Sequence, residues 1–280
     1  MAKKEIGHHF LARLGKTRLR PGGVKATNWL VEQGNFSKDS KVLEVACNMC
    51  TTSIELAQTY GCQIIGVDMD SKALEKARVN IANAGLENHI HVQQGNALKL
   101  PFPDNSFDIV INEAMLTMLR GEAKAKAIKE YLRVLKPGGR LLTHDVSYVS
   151  DKAEAKLHQL SQTINANVEP LHVNHWQELF QAIGFSSVEA TYGNMTLMSL
   201  SGMIRDEGFL KTCQILYRGL QKENRSQFTK MYSFFNKLAR IYVTLQSLAL
   251  NKGDILYKKS RGNSNRNELT KVKGGSLSYR

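Results

Sequence analysis

Long apolar runs are missing from this sequence of 280 residues. The opening stretch MAKKEIGHHFLARLG has no uninterrupted apolar core of the kind a secretory signal needs. The most hydrophobic late stretch, Phe234 to Leu250, is roughly 17 residues long and carries Lys237 and Arg240. That is too short and too charged to cross a bilayer, which takes about 20 apolar residues. The expectation is a cytoplasmic location and no membrane span. Cysteine is scarce, with four residues. Cys47 and Cys50 form a CxxC, but no second pair completes a structural zinc site, so no metal is expected and Cys47 reads as a small core hydrophobe. Acid is in deficit: 38 Lys and Arg against 25 Asp and Glu leave a net charge of +13. The basic residues form no run of five or more, so they read first as a solvated surface and second as a surface for nucleic acid.

What is present suits one α/β domain with an elaboration, since 42% of the residues are hydrophobic and 22% charged. The chain is organised around Lys41 to Asp68, KVLEVACNMCTTSIELAQTYGCQIIGVD. Val42, Leu43 and Val45 make a short apolar run that ends in small residues. A 3.6-period segment with Ile54, Leu56 and Ala57 follows as far as Gly61, and a second run, Ile64 to Val67, ends on Asp68. Strand, tight turn, helix and strand in that order imply a right-handed crossover and a parallel sheet. An acid at the tip of the second strand can accept hydrogen bonds from ribose hydroxyls, which makes Asp68 the leading functional candidate.

The blocks LEVACNMC, GVDMDSKALEKAR, GNALKLPFPDNSFDIV and LRVLKPGGRLL, in this order and spacing over roughly residues 40 to 145, resemble the class I S-adenosylmethionine-dependent methyltransferases, in particular the group with the ubiquinone and menaquinone C-methyltransferases. The resemblance implies a Rossmann-like, seven-stranded, mostly parallel sheet with helices on both faces. It implies S-adenosyl-L-methionine as cofactor, with Glu44, Ala46, Asn48, Asp68, Met69, Asn96, Ala97 and Asn112 as binding residues. Asn96 and Ala97 stand where the family usually has an Asp-Ala pair at adenine, and an Asn amide oxygen can still accept from the exocyclic amine. Ala46, Asn48 and Cys50 replace the family's glycines; Asn tolerates left-handed backbone, Ala adds one methyl and Cys50 adds bulk.

Asn112 and Glu113 fall at the carboxyl end of the fourth strand, where ligands of open α/β sheets bind. With His144 and Asp145 at the tip of the fifth strand, Glu113 is a candidate for contact with the methyl acceptor. The organisation expected is an N-terminal lid or helix over 1–35, a methyltransferase core over 36–198, a helical insertion over 199–250, the last core strand over 251–260 and a mobile basic tail over 261–280. Inside the insertion, Phe209, Cys213, Leu216, Tyr217 and Leu220 make one apolar stripe and Phe228, Met231, Phe235, Leu238, Tyr242 and Leu245 another. Stripes at that spacing usually face a core, so the insertion is expected to pack on the domain or on a second copy of the chain, as a homodimer. After the fourth strand the chain reads Asn112-Glu113-Ala114-Met115 rather than the Asn/Asp-Pro-Pro-aromatic motif of many nucleic-acid methyltransferases. The expectation is therefore a small-molecule acceptor. An RNA methyltransferase using the basic surface is one alternative, and a non-catalytic protein with a degenerate cofactor turn is the other.

Overall fold

The computed structural model describes residues 5–150, 153, 156–238 and 242–251. Its strands are β1 (Lys41–Val45), β2 (Gln63–Asp68), β3 (Ile90–Gln94), β4 (Phe107–Glu113), β5 (Leu135–Tyr148), β6 (Leu171–His172), β7 (Ser187–Asn194) and β8 (Tyr242–Leu250). They form one sheet in the order β3-β2-β1-β4-β5-β8-β7, with the two-residue β6 beside β5. All neighbours from β3 through β5 run parallel, while β8 runs antiparallel to both β5 and β7. The Rossmann-like expectation holds.

The helices are α1 (Gly7–Leu14), α2 (Gly23–Gly34), α3 (Thr51–Tyr60), α4 (Ser71–Asn83), α5 (Glu122–Val134), α6 (Leu157–Ile164), α7 (Val173–Ile183), α8 (Leu200–Glu207), α9 (Phe209–Leu220) and α10 (Arg225–Leu238). One face of the sheet is covered by α5 and α7 through Ile128, Tyr131, Trp176 and Phe180. Leu30, Leu56, Leu74 and Ile81, from α2, α3 and α4, cover the other. The continuous apolar β1, buried on both faces, follows from this double cover. A third core joins α1, α6, α9 and α10 through Phe10, Leu11, Leu160, Ile215, Phe228 and Met231.

Two expectations for the insertion change. Residues 242–250 are the strand β8, with Leu245 opposite Asp145 and Leu250 opposite Arg140; the last core strand expected over 251–260 lies, apart from Asn251, outside the described residues. Tyr242 and Leu245 fit helical and strand spacing equally. What decides is the slot between β5 and β7: Leu245 and Ala249 fill one core while Leu248 fills the other, the two-residue alternation of a strand. The first stripe faces outward, with Phe209 65%, Tyr217 71% and Leu220 55% exposed. α9 packs instead through Thr212, Ile215 and Gly219, because a Cβ at Gly219 would lie 2.5 Å from the Phe228 ring. The second stripe is buried at Phe228, Met231 and Phe235.

The segment from Gly15 to Gly22, the strap, is fastened to the insertion. Glu207 accepts from Thr17 N and Arg18 N at 2.8 and 2.9 Å, and Thr196 N donates to Pro21 O at 2.8 Å. Lys16 is buried beside Asp206 and Glu207, at 3.5 and 3.6 Å. Asp206 also accepts from Val24 N at 3.0 Å, a reach that needs Gly23, where any Cβ would sit 2.3 Å from the carboxylate.

Candidate functional site

The turn between β1 and α3 has three non-glycine residues in the left-handed region: Ala46 (φ 59°), Asn48 (φ 49°) and Cys50 (φ 58°). These are the positions where the family resemblance expects glycine, so the backbone keeps the glycine conformation without the glycines. Such angles are costly for residues with a Cβ, on the order of 1 kcal/mol each or more, and persist only where surroundings impose them. Here Asn48 N donates to Asp68 Oδ2 at 2.8 Å, Cys47 N to Val67 O at 3.1 Å and Cys50 N to Cys47 O at 2.8 Å. The Cys47 and Cys50 thiols fold over β2 at Gly66, where a Cβ would be 2.9 and 3.1 Å from their sulfurs. A hydrogen bond to Cys50 and burial push the Cys47 thiol up. Both cysteines are buried and free, and among the described residues no group of three or more His, Cys, Asp or Glu could hold a metal ion.

Asp68 accepts from Asn48 N through one oxygen and from Asp70 N, at 2.9 Å, through the other. Each carboxylate oxygen carries two acceptor positions, so one remains on each. A cavity of about 290 Å³ opens beside it. Among the expected site residues Glu44, Ala46, Asn48, Asp68, Glu113 and Asp145 border this cavity; Met69, Asn96, Ala97, Asn112 and His144 do not. Met69 is 67% exposed at the outer side of Asp68. Asn96 lies one residue past Gly95, whose N–H donates to Asp68 O at 3.0 Å, and its own Oδ1 accepts from Leu98 N. Ala97 packs at the edge of the core. Asn112 is fully buried and donates to Thr143 Oγ1 at 3.1 Å.

Glu113 is the centre of the charge network. Its Oε1 accepts from Arg20 Nε at 3.1 Å and Thr52 Oγ1 at 2.8 Å, its Oε2 from Thr27 Oγ1 at 2.8 Å and His144 Nδ1 at 3.0 Å. Gly22 N donates to His144 Nε2 at 3.2 Å, which fixes the proton on Nδ1. All four acceptor positions of Glu113 are filled, so it joins strap, α2, α3 and β5 and has none left for a ligand. Burial would raise its carboxyl, but Arg20, His144 and Thr27 outweigh that and hold it at about 2. Glu44 goes the other way: complete burial lifts it to about 7 against Arg20 and Ser53. Asp145 is buried and its carboxyl raised by burial; it accepts from Thr117 N, Thr117 Oγ1 and Val146 N.

Arg20 is the functional residue that sequence reasoning missed. It borders the cavity and, among the described residues, is the one Lys or Arg that does so. In the sequence it is the last residue before Pro21-Gly22-Gly23, with no spacing pattern to single it out. Also unforeseen are His8 and His9 of α1, which border the cavity beside Asp68 and Asp70, His9 Nε2 lying 3.5 Å from Asp70. Away from these groups the wall turns apolar, with Met118 after β4, Leu160 and Ile164 of α6, and Met195, Met231 and Phe235 of the insertion side.

Residues 36–195 match the methyltransferase domain family. The chain is 58% identical over 236 residues, 84% of its length and 94% of the relative's, to an uncharacterized protein of Haemophilus influenzae. It is 38% identical over 119 residues to the ubiquinone/menaquinone biosynthesis C-methyltransferase UbiE of Haemophilus ducreyi, a match that covers 42% of this chain and 45% of that enzyme. The fold superposes with a TM-score of 0.68 at 17% identity on Haemonchus contortus phosphoethanolamine N-methyltransferase 2 in complex with phosphomonomethylethanolamine and S-adenosylhomocysteine, over 88% of this chain and 57% of that one. Among the described residues no helix is long and apolar enough to cross a membrane. The chain belongs to the methyltransferase domain family and is a class I S-adenosylmethionine-dependent methyltransferase.

Proposed function

We propose that this enzyme methylates a small molecule with a substantial apolar body. The observation that carries the reading is the continuous cavity that runs from Asp68 and the Ala46–Asn48 turn to the apolar wall at Leu160, Met195, Met231 and Phe235. The cofactor supplies an electrophilic methyl group on a sulfonium. The chain's own residues bind, orient and exclude water, which is most of what an in-line displacement requires.

The residues at the cofactor end fit that group: an acid with one free acceptor on each oxygen, a backbone turn in the conformation the family builds from glycine, and an arginine at the side opposite the acid. The strap and α1 close over this end, and the insertion walls the other. Among the described residues Asp145 is the one carboxylate bordering the cavity outside the network around Arg20 and the Asp68–Asp70 end. It has a remaining acceptor position on Oδ2, which supports a role in accepting from a protic group of the acceptor.

An apolar wall favours an acceptor of the kind suggested by the relative named for ubiquinone/menaquinone biosynthesis over a phosphorylated amine such as the ligand of the nematode enzyme. It also argues against RNA, whose recognition calls for an open basic groove with stacking aromatics. The retained left-handed turn argues against a non-catalytic protein. The test is transfer from S-adenosylmethionine labelled in its methyl group to a fractionated cell extract. Label is expected in the organic-soluble small-molecule fraction; label confined to RNA, or none in any fraction alongside no heat of binding with S-adenosylhomocysteine, refutes the reading.

A further inference from the structure

Among the described residues, half of the exposed large hydrophobic side chains fall between residues 200 and 220: Leu200 at the start of α8, and Phe209, Leu210, Tyr217 and Leu220 on α9. Scattered singly, such residues need no explanation, but a group on one helix marks a surface that something covers. At 3.6 residues per turn the four on α9, with the exposed Cys213 among them, share an arc of about 100°. The helix packs on the domain through the other side, at Thr212, Ile215 and Gly219, so the stripe is turned to the outside. Leu210, in the middle of it, is 77% exposed.

Charge says what the partner is. Over α8, α9, α10 and the turns between them the exposed bases are Arg205, Arg218, Lys222, Arg225, Lys230 and Lys237, against one exposed acid, Glu223. The other two acids of this stretch, Asp206 and Glu207, turn inward to Lys16 and the strap, which leaves the outer surface strongly basic. An apolar stripe with bases around it is the pattern of a helix that lies in the interface of an anionic bilayer, its apolar side chains among the acyl chains and its bases at the headgroups. Tyr217 suits that level, with a ring for the apolar side and a hydroxyl for the wet one. A second copy of the chain would set like charge against like charge, and RNA offers no apolar phase for Leu210 and Leu220 to enter.

We propose that α9 docks this protein on the surface of an anionic phospholipid bilayer, with Phe209, Leu210, Tyr217 and Leu220 immersed between headgroups and upper acyl chains. The attachment is reversible, since one helix face lies in the interface and no segment spans it. It goes beyond the acceptor reading and does not rest on it. The two are connected by α10, which packs on α9 where the Phe228 ring meets Gly219 and also contributes Met231 and Phe235 to the cavity wall. The docked face and the apolar end of the cavity thus belong to one pair of helices.

Co-sedimentation of the full chain with vesicles tests this without cofactor or acceptor. Vesicles of phosphatidylcholine alone are compared with vesicles that also contain phosphatidylglycerol, for the wild type and for a variant carrying both Leu210→Ser and Tyr217→Ser. The wild type is expected to partition at least about 10-fold more strongly to the anionic vesicles, since each base near the surface contributes about 5-fold. A net charge of +13 would draw any such chain to them, so the variant decides. On the same anionic vesicles it is expected to bind at least about 10-fold more weakly, the effect of withdrawing one or two large apolar side chains from the interface, with an unchanged midpoint of urea unfolding. Equal binding of variant and wild type overturns the docking face. A wild type that does not sediment with anionic vesicles at low salt overturns it too, whether or not the variant folds. So does a wild type that is dimeric in sedimentation equilibrium where the variant is monomeric, because a second copy then covers the stripe. None of these results bears on the cofactor or the acceptor, so the docking and the methyl-transfer reading stand or fall separately.

Discussion

Asp68→Ala separates what this residue does for the fold from what it does for the ligand. In the free protein its oxygens accept from Asn48 N and Asp70 N at 2.8 and 2.9 Å. Those bonds hold the turn and the start of α4, and the carboxylate is only partly buried, so water can replace part of what is lost. The expected loss of stability is about 1–2 kcal/mol, the range for one or two such bonds near solvent. The remaining acceptor position on each oxygen is assigned to a ribose hydroxyl. Hydrogen bonds to a charged acceptor are worth about 1.5–3 kcal/mol each, so removing two should weaken S-adenosylhomocysteine by about 10²-fold or more, and by no less than about 10-fold if the turn adjusts. Asp68→Asn keeps one acceptor oxygen and should fall between. Titration calorimetry gives the affinities, and urea unfolding without ligand gives the stabilities. An Ala variant that binds within about 2-fold of wild type removes Asp68 from the site, whatever its stability.

Three further expectations concern Glu44, Glu113 and the basic surface. Glu44, lifted to about 7 by burial, favours the fold most below its ordinary value of 4.5 and loses that contribution as pH rises through about 7. Glu44 borders the cavity, and a cofactor ammonium held beside it would need the carboxylate, so S-adenosylhomocysteine should bind more tightly at pH 8 than at pH 6 and release a proton near pH 7; titrations in buffers of different ionisation enthalpy that find no release would refute this. Glu113, held at about 2, contributes stability that is present above 4.5 and lost as pH falls through about 2. Glu113→Gln leaves Arg20 without its carboxylate and should lose about 3–5 kcal/mol in urea unfolding at neutral pH, an expectation that a loss under about 1 kcal/mol would contradict. Binding to RNA should be weak, insensitive to sequence and steeply reduced between low and moderate salt, since only counterion release drives it; selective binding at physiological salt would overturn the small-molecule reading.

Much of the sheet was legible because period-two and period-3.6 patterns are local. β1, α3 and β2 follow from runs that end on Gly61 and Asp68, and those elements fall where the spacing puts them. β8 was not legible, since Tyr242 and Leu245 satisfy both periods and only the open slot between β5 and β7 chooses. The outward stripe of α9 was hidden for a related reason: Thr212, Ile215 and Gly219 are a poorer apolar face than Phe209, Tyr217 and Leu220, and they win because Gly219 lets α10 come close. At the site, Asp68 announces itself by its place after an apolar strand. Arg20 and the saturation of Glu113 depend on contacts between segments far apart in sequence, which no spacing encodes.

The same long-range contacts explain how the turn does without its glycines. Ala46, Asn48 and Cys50 each hold a left-handed angle that the isolated segment would avoid. The angle at Asn48 is imposed by its N–H on Asp68, the residue assigned to the ribose, and the thiols of Cys47 and Cys50 have room only because β2 carries Gly66 beneath them. The glycine absent from the turn thus has a counterpart in the neighbouring strand, where a methyl would meet sulfur at 2.9 Å. With the cofactor bound as proposed, Asp68 would act on both partners at once: it fixes the backbone of the turn and would present the acceptors for the ribose. The side chains Ala46 and Cys50 add do not change where the turn's backbone runs; Cys50 is fully buried, directed into the sheet and away from the cavity.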